Sequence, residues 1–152
     1  MPSTDQQVPH ATEPVIRYEQ ARKEYADGTV AVAALDLEVH ARELLVLVGP
    51  SGCGKSTTLR MANRLVELSG GRVLVEGQDI SQLEPVALRR RMGYVIQNVG
   101  LFPHRTVGQN VATVPGLLGW DKARTRARTA ELLELVGLDP AVHARRYPHQ
   151  LS

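Results

Sequence analysis

Short apolar runs separated by turn residues mark the N-terminal part of the chain. Residues 15–18, 23–25 and 29–37 have the composition of β-strands, and the Asp27-Gly28 pair tolerates the positive φ angles of a hairpin turn. These runs predict a small antiparallel meander with Tyr25 at a strand end. Further strands are expected over the apolar run from Leu44 to Val48 and over residues 72–75 and 93–97.

Helical spacing of apolar residues follows in the middle of the chain. Residues 59–68 place apolar side chains three and four positions apart, and Gly70-Gly71 is expected to end this helix. Ser81 is expected to cap a short polar helix whose last turn carries Arg89, Arg90 and Arg91, where cations favour the helix C-terminus.

Only helices are predicted after Gln97. Thr106 and Gln109 have the spacing of a capping box, and Asp121 begins a longer helix that Gly137 is placed to end. Asp139-Pro140 predicts the cap and first residue of one more helix. On the long helix the expected buried face is Ala123, Ala127, Ala130, Leu133 and Val136, and the expected solvent face carries Arg124, Arg126 and Arg128.

The stretch Gly49-Pro50-Ser51-Gly52-Cys53-Gly54-Lys55-Ser56-Thr57 joins the predicted strand at 44–48 to the next helix. Strand, glycine-rich turn and helix is the context of a phosphate-binding P-loop, in which backbone N–H groups converge on an anion. Lys55 is expected to reach the β and γ phosphates, and the Ser56 hydroxyl to coordinate Mg²⁺. The motif predicts nucleotide binding, but kinases, GTPases and ATPases all share it.

Composition narrows the class of protein. The 152 residues are 43% hydrophobic and 22% charged, as in one globular domain or part of one. The net charge of +2 comes from mixed signs, so no nucleic-acid partner is expected. No apolar run approaches the roughly 20 residues of a membrane span, and no signal-peptide core is present, so a cytosolic location is expected. The single cysteine, Cys53, cannot form an intrachain disulfide. It is expected to serve as a small side chain in the loop and not as a catalytic thiol.

Several motifs in order resemble the N-terminal part of an ABC transporter ATPase subunit, over residues 15–152. They are the aromatic Tyr25 about two dozen residues before the P-loop, the P-loop itself, Gln97, and Leu151-Ser152, which match the start of the family's Leu-Ser-Gly-Gly-Gln signature. A small-molecule kinase would share the P-loop, but it would not predict the other three together.

The resemblance implies an α/β fold: a RecA-like P-loop NTPase core with an N-terminal antiparallel β subdomain and the start of an α-helical subdomain, incomplete. The corresponding ranges are a loose, proline-containing tail at 1–14, the β subdomain and P-loop core at 15–97, and the helical subdomain at 98–152. It also implies that Tyr25 stacks on the adenine of ATP, that Gly49 to Thr57 bind its phosphates, and that Ser56 and Gln97 contact Mg²⁺.

Within the family, residues 59–65, 93–104 and 112–120 resemble the ATPases of importers for osmoprotectants such as glycine betaine, choline or carnitine. The resemblance implies an ATP-hydrolysing subunit that pairs head to tail with a second ATPase subunit. It also implies docking on integral membrane permease subunits through Gln97 and residues 98–104, and indirect cooperation with an extracytoplasmic solute-binding protein. The location would be the inner face of the cell membrane. Import of amino acids or another small solute is the alternative substrate class.

Two departures from the family pattern bear on function. Arg42 stands where the family usually has a glycine, which costs about 1 kcal/mol if its φ is positive. The Walker B aspartate, the catalytic glutamate and the switch histidine have no counterpart up to Ser152, and neither His104 nor His149 occupies the histidine's motif. No catalytic residue is therefore assigned, apart from a contact of Gln97 with the metal or water. The alternative function for residues 1–152 alone is nucleotide binding without turnover, with the strand at 44–48 left as an aggregation-prone edge.

Overall fold

A computed structural model describes residues 13–97 and 100–151, so most of the expected tail, Asn98 and Ser152 lie outside the described residues. Two compact units divide between Gly93 and Tyr94. The first contains β1 (Ile16–Glu24), β2 (Val30–Val39), α1 (Lys55–Ala62), β3 (Gly70–Val75), β4 (Gln78–Asp79) and α2 (Pro85–Arg91). The second contains α3 (Val107–Val111), α4 (Thr113–Leu117), α5 (Lys122–Leu135) and α6 (Pro140–His143).

The strands of the first unit form one antiparallel sheet in the order β2-β1-β3-β4. The predicted hairpin is confirmed: the Tyr25 amide donates to the Thr29 carbonyl at 2.9 Å, and Gly28 has a φ of 83°. The two runs predicted before it form a single strand, β1, whose pairing shifts near Gln20, a residue with a φ of 48°. The short strand β4, which the apolar pattern did not predict, pairs with the end of β3 across the turn at Glu76-Gly77.

Two predicted strands are wrong. Residues 44–48 and 93–97 have no regular secondary structure, and the side chains of Leu44 and Val48 are each 89% exposed. An apolar run forms a strand only where neighbouring strands take up its backbone hydrogen bonds, and no strand formed by residues 13–97 pairs with either run. Arg42, just before the first run, does have a positive φ of 66°, as the glycine expected there would.

The helix ends also differ from prediction. Helix α1 ends at Ala62, because the chain turns through Arg64, which has a φ of 53°, and Gly70-Gly71 begins β3 instead of ending a helix. Ser81 caps nothing. The Asp79 carboxylate caps a short 3₁₀ turn, and the Glu84 carboxylate accepts from the Ala87 amide at 2.7 Å at the start of α2. Backbone N–H groups of α2, that of Val86 first, hold the pKa of Glu84 below its usual value.

The predicted helix starts of the second unit are confirmed. Thr106 and Gln109 form the complete capping box of α3, and the Asp121 and Asp139 carboxylates cap α5 and α6. Gly137, with a φ of 75°, ends the α5 segment. The predicted buried face of α5 is wrong in part: Ala123, Ala127 and Val136 are exposed, whereas Thr129 and Leu133 are buried. Thr129 tolerates burial because its hydroxyl donates to the Thr125 carbonyl at 2.8 Å.

The core of the first unit fixes the helix that follows the P-loop. Buried side chains of β1, α1, β3, α2 and the 3₁₀ turn Ile80–Gln82 pack together there: Tyr18, Ala21, Met61, Ala62, Val73, Ile80 and Leu88. The Tyr18 hydroxyl, which is in this core, donates to the carbonyl of Thr58 at 3.0 Å. This bond ties the start of α1 directly to β1, an inner strand of the sheet.

Gly54 fixes the loop itself against β2. A Cβ at this position would overlap the Ala31 carbonyl oxygen and lie 3.3 Å from Cγ2 of Val32. Gly54 also has a φ of 90°, a conformation that L side chains rarely adopt. The loop therefore lies on β2 at a separation that only glycine allows.

We expect Gly54→Ala to destabilise the chain by about 2 kcal/mol more than Gly52→Ala. Both glycines have positive φ, so both variants carry the left-handed cost of about 1 kcal/mol, but only Gly54 meets a backbone atom. Urea denaturation of the two variants measures the difference in the free energy of unfolding. Equal losses would show that contact with Ala31 does not hold the loop.

Alkaline pH should weaken the anchor at Tyr18. Burial raises the pKa of Tyr18 to about 12, against about 10 in an unfolded chain. The raised pKa contributes stability that is complete below pH 10 and is lost as pH rises towards 12, because the unfolded chain deprotonates first. Between pH 9 and 11.5 we expect the wild type to lose about 2 kcal/mol more unfolding free energy than Tyr18→Phe, measured by urea denaturation. A parallel decline in both proteins would contradict the assignment.

Candidate functional site

The P-loop has the backbone of an anion site. Gly52 and Gly54 have φ values of 85° and 90°, which curl the chain into the start of α1. No side chain caps that start, and no acidic residue lies in the first turn. The first N–H groups of a helix lack partners within the helix, and they carry partial positive charge. A bound anion would accept hydrogen bonds from these N–H groups and neutralise their partial charge.

Lys55 adds a full positive charge to the loop. Its ammonium group donates to the carbonyls of Gly49 and Pro50, at 2.8 and 2.6 Å, and lies 3.4 Å from the Cys53 sulfur. The side chain thus folds back over the loop that it follows. Because its partners are neutral, a phosphate group would replace neutral acceptors with a charged one.

Tyr25 lies beside the same loop, as its position at the end of β1 allows. Its hydroxyl oxygen is 3.5 Å from the Thr57 hydroxyl oxygen, although the two residues are 32 positions apart. Tyr25 is 41% exposed, so part of its surface is open to a ligand. The next residues form a tight turn, in which the Thr29 amide donates to the Asp27 carboxylate and lowers the pKa of that carboxyl.

The remaining predicted site residues are placed in different parts of the chain. Ser56 is exposed in the first turn of α1. Gln97 is an exposed residue of the second unit, in a bend and not at a strand end. Leu151 is half-buried after the 3₁₀ turn Pro148–Gln150, and its signature partner Ser152 is outside the described residues. The first unit therefore holds Tyr25 and the P-loop together, and the roles of all these residues stay predictions.

Three residues that support the site were not found from the sequence. Tyr18 anchors α1, Ala31 supports Gly54, and the Lys23 ammonium lies over the Tyr25 ring. The contact of Lys23 with Tyr25 does have a sequence signal, since residues two positions apart lie on the same face of a strand. Tyr18 contacts α1, and Ala31 contacts the P-loop, only once the chain is folded. No local sequence pattern therefore predicts either contact. No helix formed by residues 13–97 or 100–151 is long and apolar enough to span a membrane.

Comparison with known proteins identifies the family. The model of the ABC transporter family matches residues 32–152. The chain is 47% identical over 138 residues to the glycine betaine/carnitine/choline transport ATP-binding protein OpuCA of Bacillus subtilis, covering 91% of this chain and 36% of that one. It is 52% identical over 122 residues to a glycine betaine uptake system ATP-binding protein of Escherichia coli, covering 80% and 39%. A methionine import ATP-binding protein of Xylella fastidiosa is 45% identical over 144 residues, covering 91% and 42%. The chain thus spans about two fifths or less of these relatives.

Solved structures show the same fold. A protein of Clostridium perfringens that is part of the ABC transporter complex cbiONQ superimposes with a TM-score of 0.81 at 25% identity, over 93% of this chain and 57% of that one. An ATP-binding cassette in a dimeric post-hydrolysis state, bound to ADP and Pi, superimposes with a TM-score of 0.78 at 26% identity, over 90% and 63%. These matches confirm the α/β ATPase fold expected from the motifs. The chain belongs to the ABC transporter family.

Proposed function

We propose that this chain is the nucleotide-binding part of an ATP-hydrolysing subunit of an importer for osmoprotectants such as glycine betaine. The observation that carries the proposal is the P-loop. An uncapped helix start, two glycines with positive φ and the Lys55 ammonium lie within a few residues of one another there. Adenine stacks on Tyr25, and residues 49–57 bind the phosphates. The 3.5 Å between the Tyr25 and Thr57 hydroxyl oxygens supports this joint site.

The residues present also fit a magnesium ion. Mg²⁺ commonly binds through few protein ligands, with nucleotide phosphates and water completing its shell. The exposed Ser56 hydroxyl at the start of α1 is suited to that part. Gln97 belongs to the second unit, so its proposed contact with the ion rests on the family resemblance alone. The ion would neutralise charge on the phosphates. Lys55 and the backbone N–H groups then bind and orient the same phosphates.

Turnover is proposed for the longer subunit and not for these residues alone. The P-loop supplies charge and positioning, but hydrolysis also needs a group that polarises water, and none is assigned within the chain. For residues 1–152 alone we expect nucleotide binding that is weak at best, without phosphate release. The run 44–48 supports this view, since Leu44, Val46 and Val48 are 89%, 67% and 89% exposed.

The substrate class follows from the relatives. The Bacillus and Escherichia proteins, at 47% and 52% identity, have names that specify glycine betaine, and the methionine protein is at 45%. We therefore favour osmoprotectants, with amino acids as the alternative. As an importer ATPase the subunit would pair with a second copy, bind permease subunits at the inner face of the membrane, and act with an extracytoplasmic solute-binding protein.

The turn at residues 100–104 is the proposed permease contact. Leu101 and Phe102 are 43% and 45% exposed. The turn is nevertheless held firmly, because the Asn110 amide group accepts from the Phe102 amide at 2.7 Å and donates to the Phe102 carbonyl at 3.1 Å. The Arg105 guanidinium also lies 5.0 Å from the Phe102 ring centroid. Exposed apolar side chains on an ordered turn are the profile of a partner contact.

Removal of the Lys55 charge should weaken ATP binding by about 2 kcal/mol or more, because a charge-assisted contact with the phosphates is lost. The measurement is calorimetric titration of a chimera in which the 138 matched residues of this chain replace those of the Bacillus relative. Lys55→Ala is compared with Lys122→Ala, which removes the same charge from the second unit. Unchanged affinity in Lys55→Ala would refute the role given to Lys55.

A crosslinker at Leu101 should capture a permease subunit. In the chimera, assembled with the permease subunits of the Bacillus relative, Cys53→Ser first removes the exposed native thiol. Leu101→Cys should then crosslink to a membrane subunit. Leu135→Cys is the control, since Leu135 is 78% exposed at the end of α5. Equal capture from both positions, or none from Leu101, would count against the proposed contact.

A further inference from the structure

Lys23 is a residue that neither the P-loop motif nor the family resemblance singles out. Its ammonium nitrogen lies 5.2 Å from the centroid of the Tyr25 ring, within the range of a cation–π interaction. Lys23 pairs with Val32 across the hairpin, and Val32 is the side chain nearest to Gly54. Because directly opposed residues point to the same face of a sheet, Lys23 leaves the hairpin on the face that carries the P-loop.

Short hydrogen bonds hold the backbone at Tyr25, whereas the polar contacts of its ring are longer. The Ser69 hydroxyl accepts from the Glu24 amide and donates to the Glu24 carbonyl, each at 3.0 Å. The Tyr25 amide bonds to Thr29 across the turn. Tyr25 is 41% exposed, and the polar groups placed against its ring are the Lys23 ammonium on one face and the Thr57 hydroxyl at its edge. These two contacts therefore contribute to the orientation of the ring.

We propose that Lys23 is a positioning residue for the nucleotide base. Its ammonium holds one face of the Tyr25 ring, so that the opposite face is presented to adenine. This inference rests on the proposed function, in which Tyr25 stacks on the base. A ring that is already held loses less conformational freedom when a base stacks on it. The cation also draws π density to its own face, which reduces repulsion between the other face and the purine.

The proposal predicts an effect that depends on the base and not on the phosphates. Inorganic tripolyphosphate carries the phosphate charge of ATP without a base, so it reports on the P-loop alone. A long-range attraction between Lys23 and phosphate would favour both ligands equally. A hold on the Tyr25 ring favours ATP only. The ratio of the two dissociation constants therefore separates positioning from simple charge.

The test is titration of the chimera, in which the 138 matched residues of this chain replace those of the Bacillus relative, with ATP and with tripolyphosphate, both with Mg²⁺. Lys23→Met should raise the Kd for ATP about two- to fivefold, because loss of an exposed cation–π contact has an effect of that size. The Kd for tripolyphosphate should stay unchanged. Lys23→Arg should restore wild-type affinity, because guanidinium also stacks on tyrosine. In a Tyr25→Ala background, Lys23→Met should have no further effect. Lys122→Met is the charge-matched control in the second unit.

Several outcomes would overturn the proposal, and they are distinguishable. Equal weakening of ATP and tripolyphosphate would mean that Lys23 acts on the phosphates. Unchanged or tighter ATP binding by Lys23→Met would mean that the ammonium contributes nothing or covers the face that the base needs. If the wild type binds both ligands equally, Tyr25 is not a base platform. If it binds neither, the P-loop assignment fails as well, and the inference with it.

Discussion

The approach of Gly54 to the carbonyl of Ala31 is the constraint on which the rest of the site depends. It brings the P-loop against β2 at a distance that excludes any side chain. Since β2 is joined to β1 by the turn after Tyr25, the same hairpin that supports the loop also carries the aromatic ring. The proposed base platform and the phosphate loop are therefore supported by the same hairpin, and the backbone contact between Gly54 and Ala31 fixes the loop against it.

Some groups at and around the anion site form hydrogen bonds within the chain that satisfy them without a ligand. The Lys55 ammonium is satisfied by the Gly49 and Pro50 carbonyls, and the Tyr18 hydroxyl by the Thr58 carbonyl. A phosphate that enters must displace the lysine from those carbonyls, so the gain is the difference between a neutral and a charged acceptor and not the whole strength of an ion pair. The uncapped start of α1 has no such internal substitute, and backbone N–H groups are the part of the site with most to gain from an anion.

The features predicted correctly from the sequence are those with a local cause. The turn at Asp27-Gly28, the capping box of Thr106 and Gln109, and the cap at Asp121 each need only neighbouring residues. The prediction of a strand at 44–48 was wrong because a strand needs partner strands elsewhere in the chain, and apolar composition does not show whether they exist. The predicted end of α1 was wrong for a similar reason. Val66 and Leu68 keep helical spacing but pack against the sheet core after the turn at Arg64. Contacts such as Lys23 with Tyr25 required the assembled hairpin.

On the proposed function, the distribution of chemistry along the chain explains how one ATPase module can work with different solutes. The P-loop and Tyr25 are proposed to bind ATP and not the solute, and relatives named for glycine betaine and for methionine match the chain at 52% and 45% identity. On the proposed function, selection of the solute must then depend on surfaces that recognise the other subunits. In the second unit the turn at 100–104 has that character, because Asn110 holds its backbone in place while Leu101 and Phe102 stay exposed. On this proposal a fixed apolar turn can evolve with its partner without disturbing nucleotide binding, since the residues proposed to bind phosphate lie in the other unit.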